Sequence, residues 1–196
     1  MASYASISDI KAVDRLNITD TTSDIVLTEV VEAVSRWIDD VTGRRFSPAT
    51  ETRYFTAEAR DVLWLDDIST AAGLLLYTDD DGDGVYENTW AATDYNLRPY
   101  NPRSGWPFEA IETTVNGDFY FPRTRKGVKV TAAFGWPSVP AQIKQACILQ
   151  SERLFKRFVT PLGSSGMSAL GEVRLVIPSA DGDVKALLAP FMRVIE

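Results

Sequence analysis

The chain has 196 residues, 45% of them hydrophobic and 24% charged, a length and composition that let a globular domain bury its own core without a disulfide or metal staple. It contains no histidine and one cysteine, Cys147, which excludes an internal disulfide and removes the commonest general base, the commonest metal ligand and the usual activator of a serine or cysteine nucleophile. Its net charge of −7 denies it the global basic footprint of a phosphate-gripping protein.

The first residues, Met1-Ala2-Ser3-Tyr4-Ala5, carry no basic segment followed by an apolar run, so no secretory signal is expected there. No stretch approaches the roughly 20 apolar residues that span a bilayer. Residues 6–16 read as a short helix that Ser6 or Ser8 caps, because a serine hydroxyl accepts a bond from an unpaired first-turn amide. The polar residues 17–22 interrupt it. A longer helix follows over residues 23–42, with Val26, Val30, Val34, Trp37 and Val41 at three-and-four spacing and Leu27, Val31 and Ile38 alongside. Thr22 or Ser23 starts it and Gly43 stops it. Its apolar stripe is assigned to the core or to a subunit contact.

Between residues 45 and 134 the pattern changes to short runs rich in β-branched and aromatic residues, at 53–56, 62–65, 74–77, 85–90, 111–115 and 128–134. Gly, Asp and Asn separate them, and Pro99, Pro102, Pro107 and Pro122 mark the later loops. The runs predict an antiparallel sheet or small barrel. Helical spacing returns at 141–159, where Ile143, Ala146, Cys147, Leu154 and Phe158 fall on one side. On that face Cys147 is expected to act as a small hydrophobe. The Gly/Ser-rich residues 161–171 are expected to be mobile in the free chain, followed by a strand at 173–177 and a helix at 184–188 that Pro190 bends or ends.

The expected architecture is therefore α+β: a helical frame with an inserted antiparallel β-rich block. It is read as one domain over 1–196, with N-terminal helices in 1–44, the insertion in 45–138, and the helix, loop, strand and terminal helix in 139–196.

The sharpest local motif is Asp79-Asp80-Asp81-Gly82-Asp83-Gly84-Val85-Tyr86-Glu87. Asp79, Asp81, Asp83 and Gly84 match positions one, three, five and six of a calcium loop, and Glu87 adds a further carboxylate. The twelfth position is Trp90, where such loops place a bidentate Glu, and the flanks are strand-like. A hairpin tip, in which Asp and Gly supply left-handed backbone and local side-chain bonds, explains the same residues. Both readings stay open, with no other cofactor expected.

A carboxylate-based hydrolase, a further alternative, needs two carboxylates facing each other across a cleft, and neither Asp66-Asp67, Asp39-Asp40 nor Glu109 with Glu112 points to such a pair. Side chains adjacent in sequence seldom face each other, so strand ends and helix faces explain them better. Arg123, Arg125 and Lys126 beside Tyr120 and Phe121, with Lys144, Arg153, Lys156 and Arg157, could contact nucleic acid. A solvated face with intersubunit salt bridges accounts for them as well.

The order of these elements carries a resemblance. Residues 18–24 leading into Ala33-Val34-Ser35-Arg36-Trp37-Ile38-Asp39 and Thr42-Gly43-Arg44-Arg45-Phe46, then Thr93-Asp94-Tyr95, Phe134-Gly135-Trp136-Pro137-Ser138-Val139-Pro140 and Ile143-Lys144-Gln145-Ala146-Cys147, are similar to the head-to-tail connector (adaptor, head-completion) proteins of long-tailed bacteriophages and gene transfer agents. The resemblance implies a non-enzymatic virion protein at the neck, in a ring of about twelve copies under the portal protein. It further implies tail-completion or stopper proteins docked below and double-stranded DNA passing through without sequence-specific binding. It also implies exposed segments that order on docking, here Leu162, Gly163, Met167 and Leu170 of the loop and Phe191, Met192, Val194 and Ile195 of the tail. A bore that lets DNA slide is expected to be lined by neutral or acidic residues, with basic ones on the lateral faces.

Overall fold

A computed structural model describes residues 2–12, 14–115, 117–159 and 182–193. The described residues form four α-helices, one 3-10 turn and seven β-strands, and the chain divides into a helical unit (Met1–Gly43 with Val139–Glu196) and a sheet unit (Arg44–Ser138).

In the helical unit, α1 (Ile7–Lys11) opens with a capping box: the Ser6 hydroxyl accepts the Asp9 amide at 3.2 Å, and the Asp9 carboxylate accepts the Ser6 amide at 2.9 Å. The helix is shorter than the expected 6–16, because the chain folds back on itself: the Asn17 amide bonds the Ala12 carbonyl at 3.1 Å with φ at +51°. Helix α2 (Asp24–Thr42) ends where predicted, with Gly43 left-handed at φ +65° and its amide on the Asp39 carbonyl. Its buried face is Leu27, Val30, Val31, Val34, Ser35, Ile38 and Thr42. At 100° per residue, Val26, Trp37 and Val41 fall on one flank of that face, so Val26 and Val41 are exposed and Trp37 is half-buried. Helix α3 (Ala141–Val159) has the expected bounds and buries Ile143, Ala146, Cys147, Ile148, Ser151 and Phe155, while Leu154 is only half-buried. Helix α4 (Gly182–Leu188) packs on α3 and runs into the 3-10 turn Ala189–Phe191, which holds Pro190. The Arg193 amide then bonds the Thr42 carbonyl at 2.9 Å, tying this segment to the end of α2.

The sheet unit is wholly antiparallel in its pairings. Its strands are β1 (Ala49–Phe55), β2 (Val62–Ile68), β3 (Leu75–Thr78), β4 (Asn88–Thr89), β5 (Tyr95–Arg98), β6 (Phe108–Thr113) and β7 (Val128–Phe134). The order runs β4-β3-β7-β2-β6-β5, and β1 lies along the other side of β7. Alternation in β7 sends Val128, Val130, Ala132 and Phe134 inward and leaves Lys129, Thr131 and Ala133 less covered. Those inward residues join Leu63, Leu65, Ile68, Leu76 and Ile111 in the core. Trp90 closes it, stacked on Phe121 at 4.8 Å and 14°, with its indole N–H donated to the Thr78 hydroxyl at 3.1 Å.

The strand expected at 85–90 shrinks to Asn88–Thr89 because its first half belongs to the carboxylate turn. The strand expected at 111–115 starts earlier, at Phe108, and leaves Val115 fully exposed. Strand β5, Tyr95–Arg98, and the first half of β1 carry too few apolar residues to be read from the sequence. The expected strand at 173–177 lies outside the described residues.

The run Phe134-Gly135-Trp136-Pro137 makes a corner of this unit. Gly135 has φ +112°, and a β-carbon there would meet the Ser47 carbonyl oxygen at 2.3 Å, so only glycine fits. The Trp136 ring lies against Phe46 (centroids 5.3 Å apart) and Trp106 (4.9 Å). Its indole N–H donates to Asp67 Oδ2 at 2.9 Å, and Asp67 also receives Arg44 Nη1 at 2.5 Å. Asp67 is 4% exposed, so a buried charge is paired and hydrogen-bonded on both oxygens.

Candidate functional site

The acidic turn grows from the end of β3. Asp79 is nearly buried because its amide bonds the Gly127 carbonyl at 2.9 Å and its carbonyl accepts the Thr124 hydroxyl at 3.0 Å. Its carboxylate turns into the loop, where one oxygen accepts the Gly82 amide at 2.7 Å and the other the Gly84 amide at 2.9 Å. Burial works against the charge of Asp79, but these amides together outweigh it and hold its carboxyl below the usual range. Asp81 accepts the Asp83 amide at 3.1 Å and Asp83 the Val85 amide at 2.7 Å, side-chain turns that shape the loop tip. Gly82 and Gly84 take φ of +81° and +93°.

One carboxylate oxygen each from Asp79, Asp81, Asp83 and Glu87 lies within 4.8 Å of the others, so all four candidate ligands come together. Asp79 is buried and the other three are exposed. Trp90, at the twelfth position, faces the core and offers no oxygen. The chemistry is that of hard oxygen donors for a calcium-like cation without the closing bidentate carboxylate, on a loop whose amides already use several of the same oxygens.

Of the other carboxylates singled out in the sequence, all but Asp40 meet arginines. Asp66 binds Arg53 at 2.6 Å while its neighbour Asp67 binds Arg44, so the two adjacent carboxylates serve different partners. Glu109 also meets Arg44 at 2.8 Å, and Glu112 meets Arg98 at 3.5 Å and accepts the Tyr100 hydroxyl. Asp39 accepts the Tyr4 hydroxyl and pairs with Arg36 at 3.0 Å, while Asp40 is exposed. Cys147 is buried, and burial pushes its thiol up, against nucleophilic use.

The basic residues do not gather. Arg123 lines an open groove of about 630 Å³ with Arg60, Phe119, Tyr120, Asp80 and Asp118, a mixed rather than basic lining. Arg60 lies over the Tyr120 ring at 5.6 Å. Lys126 adopts φ +57° and its carbonyl accepts the Tyr86 hydroxyl at 2.8 Å. Lys144 pairs with Asp9 at 2.8 Å, whereas Lys156 and Arg157 are exposed.

Of the tail residues expected to dock, Phe191 is buried at 4% exposure and Met192 is half exposed. Leu162, Gly163, Met167, Leu170, Val194 and Ile195 lie outside the described residues. The exposed apolar side chains that stand out elsewhere are Ile25 on α2 and Tyr54, Trp64, Leu75, Val85 and Tyr100 on the sheet unit. Tyr54 and Leu75 belong to the outer face of β1, β7 and β3, where Lys129 Nζ sits 4.6 Å from the Tyr77 ring and 4.7 Å from Tyr86. Sequence reasoning missed this face, because the strand ends that build it are brought together only by pairing.

These features define an α+β chain whose buried polar groups lock its own fold and whose sheet unit exposes aromatics and loop carboxylates. The same fold occurs in solved particle structures. The chain is 20% identical to a chain of the "Neck of empty GTA particle computed with C6 symmetry", with TM-score 0.56, covering 94% of this chain and 88% of that one. It is 18% identical to a chain of the "Neck of native GTA particle computed with C12 symmetry", with TM-score 0.53, covering 87% and 84%. A chain of the "Virion of native gene transfer agent (GTA) particle" gives 19% identity, TM-score 0.51, and coverage of 89% and 80%. No protein-family model matches the chain, and no curated protein matches it. No helix among the described residues is long and apolar enough to cross a membrane.

Proposed function

We propose that this chain is a structural, non-enzymatic virion protein: a head-to-tail connector subunit that assembles with copies of itself into a ring at the neck of a tailed particle. The ring sits below the portal protein, surrounds the channel through which double-stranded DNA passes, and receives the tail-completion or stopper protein on its far side. It is made in the host cytoplasm and ends in the virion. The observation that carries this reading is the likeness of fold to a neck chain over 94% of the sequence, spanning both the helical and the sheet unit.

The chemistry of the chain supports it. There is no histidine, and the one cysteine is buried. Large aromatic and aliphatic side chains stand exposed where a monomer gains nothing from them, and aromatics make good contact anchors. A net charge of −7 suits a wall past which DNA slides. The test is electron microscopy of the purified chain mixed with its portal protein. Rings stacked on the portal are the expected result, and a chain that stays single with portal present and is missing from purified particles rejects the reading.

A second reading concerns the acidic turn: a calcium ion held by Asp79, Asp81, Asp83 and Glu87. It is favoured by the convergence of the four carboxylates within 4.8 Å. It predicts a melting temperature that rises with millimolar calcium, falls with chelator, and loses both responses in Asp81→Asn/Asp83→Asn. A melt indifferent to calcium leaves the turn as a hairpin tip.

A further inference from the structure

Among the described residues strand β1 is unpaired along one side, and backbone directions show which groups it offers there. The Gly127 and Ala133 carbonyls bond Asp79 and Ser69, at 2.9 Å each, so odd-numbered residues of β7 point to the β3 and β2 side. The even-numbered residues Val128, Val130, Ala132 and Phe134 therefore turn to β1, where they face Phe55, Arg53, Glu51 and Ala49. The alternate residues of β1, Thr50, Thr52 and Tyr54, turn their amides and carbonyls away from β7, and none of the described strands pairs with them.

The same argument applies at the other end of the sheet. The Thr113 amide bonds Asp61 and the Thr114 amide bonds Asp94, at 2.9 Å each, which places Glu112 and Ala110 toward β5. In β5, Asn96 and Arg98 answer them, while Tyr95 and Leu97 point their backbone groups to the open side.

Exposed edges are guarded in monomeric proteins by Lys, Pro, bulges or short length. The β1 edge has seven residues in unbroken register with β7 and carries neither Lys nor Pro. Its inward charges, which can also deter pairing, are already matched: Glu51 holds Arg45 at 2.6 Å and Arg53 at 2.7 Å, and Arg53 holds Asp66 at 2.6 Å. Thr50, Thr52 and Tyr54 are exposed, and threonine and tyrosine favour strands.

We infer that the open edge of β1 takes the open edge of β5 from a second copy of the chain, so that the sheets of neighbouring subunits join through backbone hydrogen bonds. This rests on the ring reading above. A closed ring is heterologous, so each copy must offer two different, complementary surfaces; the sheet ends at β1, β5 and the two-residue β4, and the unlike edges of β1 and β5 meet that requirement. A β1-to-β1 contact would be isologous and would stop at a dimer.

The decisive variant is Thr52→Pro, in full-length chain with its portal. Proline there removes an amide that points away from β7, so the fold keeps its own ladder while the edge loses a central donor. Thr52→Val controls for the loss of the 2.8 Å contact between the Thr52 and Thr131 hydroxyls. Thr52→Pro is expected to raise the concentration needed for rings about tenfold or more, with Thr52→Val close to the natural chain. A second measurement stands independently of whether that variant folds. Copies carrying Thr52→Cys are mixed with copies carrying Asn96→Cys, both positions being exposed, and treated with a short bismaleimide while Cys147 stays buried. Cross-links between the two kinds of copy, appearing only on assembly, are expected. Rings from Thr52→Pro at the natural concentration, cross-links only between like Thr52→Cys copies, or none within formed rings would overturn the inference and leave the ring reading intact. A natural chain that never assembles with its portal removes both.

Discussion

Replacing Asp67 by alanine tests the corner that the Phe134-Gly135-Trp136 run builds. Asp67 accepts two bonds in a buried setting, from Arg44 Nη1 at 2.5 Å and from the Trp136 indole at 2.9 Å. Truncation strands the buried indole N–H, which costs about 1–3 kcal/mol. It also takes a partner from Arg44, whose side chain is only 12% exposed. Breaking a buried ion pair costs about 3–5 kcal/mol. The two penalties overlap, and Arg44 keeps Glu109 at 2.8 Å, a carboxylate 39% exposed and able to rotate toward it. The net loss is therefore placed at the low end, about 3 kcal/mol. Urea unfolding followed by tryptophan fluorescence reads it directly as a lower midpoint with an unchanged slope. Asp67→Asn keeps an acceptor for the indole and is expected to lose about half as much, and Glu109→Ala, at a more exposed pair, about 1 kcal/mol or less. If Asp67→Ala loses under about 1 kcal/mol, or no more than Glu109→Ala, the corner is not held by this buried carboxylate and the reasoning is wrong.

Other consequences follow from individual residues. Hydrogen bonds from Lys144 and Ser6 hold Asp9 at about 2 instead of 3.8, so its contribution is complete above pH 4 and is lost as pH falls through about 2; Asp9→Asn should abolish that part of an acid-unfolding curve. Ser6→Ala removes the cap of α1 and is expected to lower stability by about 1 kcal/mol by thermal melting, whereas Ser8→Ala, which loses a 2.8 Å contact to the Ser6 hydroxyl and leaves the cap itself in place, should lose less. Gly135→Ala must hold a side chain at φ +112° against the Ser47 carbonyl and should lose well over about 1 kcal/mol, whereas Gly73→Ala, left-handed but open around its β-carbon, should lose less. A thiol reagent should modify Cys147 only at the rate of unfolding; fast labelling of folded protein would contradict its burial.

Helix α2 and its glycine stop, helix α3 and strand β7 were legible in the sequence because each is set by a local period or cap: three-and-four spacing, a left-handed glycine, strict alternation. The α+β class followed from the switch between those periods. The convergence of Asp79, Asp81, Asp83 and Glu87 was legible too, because alternate carboxylates in one tight turn have nowhere else to go. What the chain folds against decided the rest. Val26 and Val41 share a stripe with Val30 and Val34 but lie off the packed face, so their exposure depends on where α3 ends up. Phe191, expected to be free for docking, is buried instead, beside the Arg193 amide that bonds the end of α2. Strand β5 has two apolar residues in four and becomes a strand only because β6 supplies its hydrogen bonds. The adjacent carboxylates Asp66 and Asp67 look alike in sequence, yet alternation sends them to different arginines. A local pattern can specify an element, because its period is written in neighbouring residues; edges, burial and charge partners are set by residues tens of positions away, and those only the tertiary structure brings together.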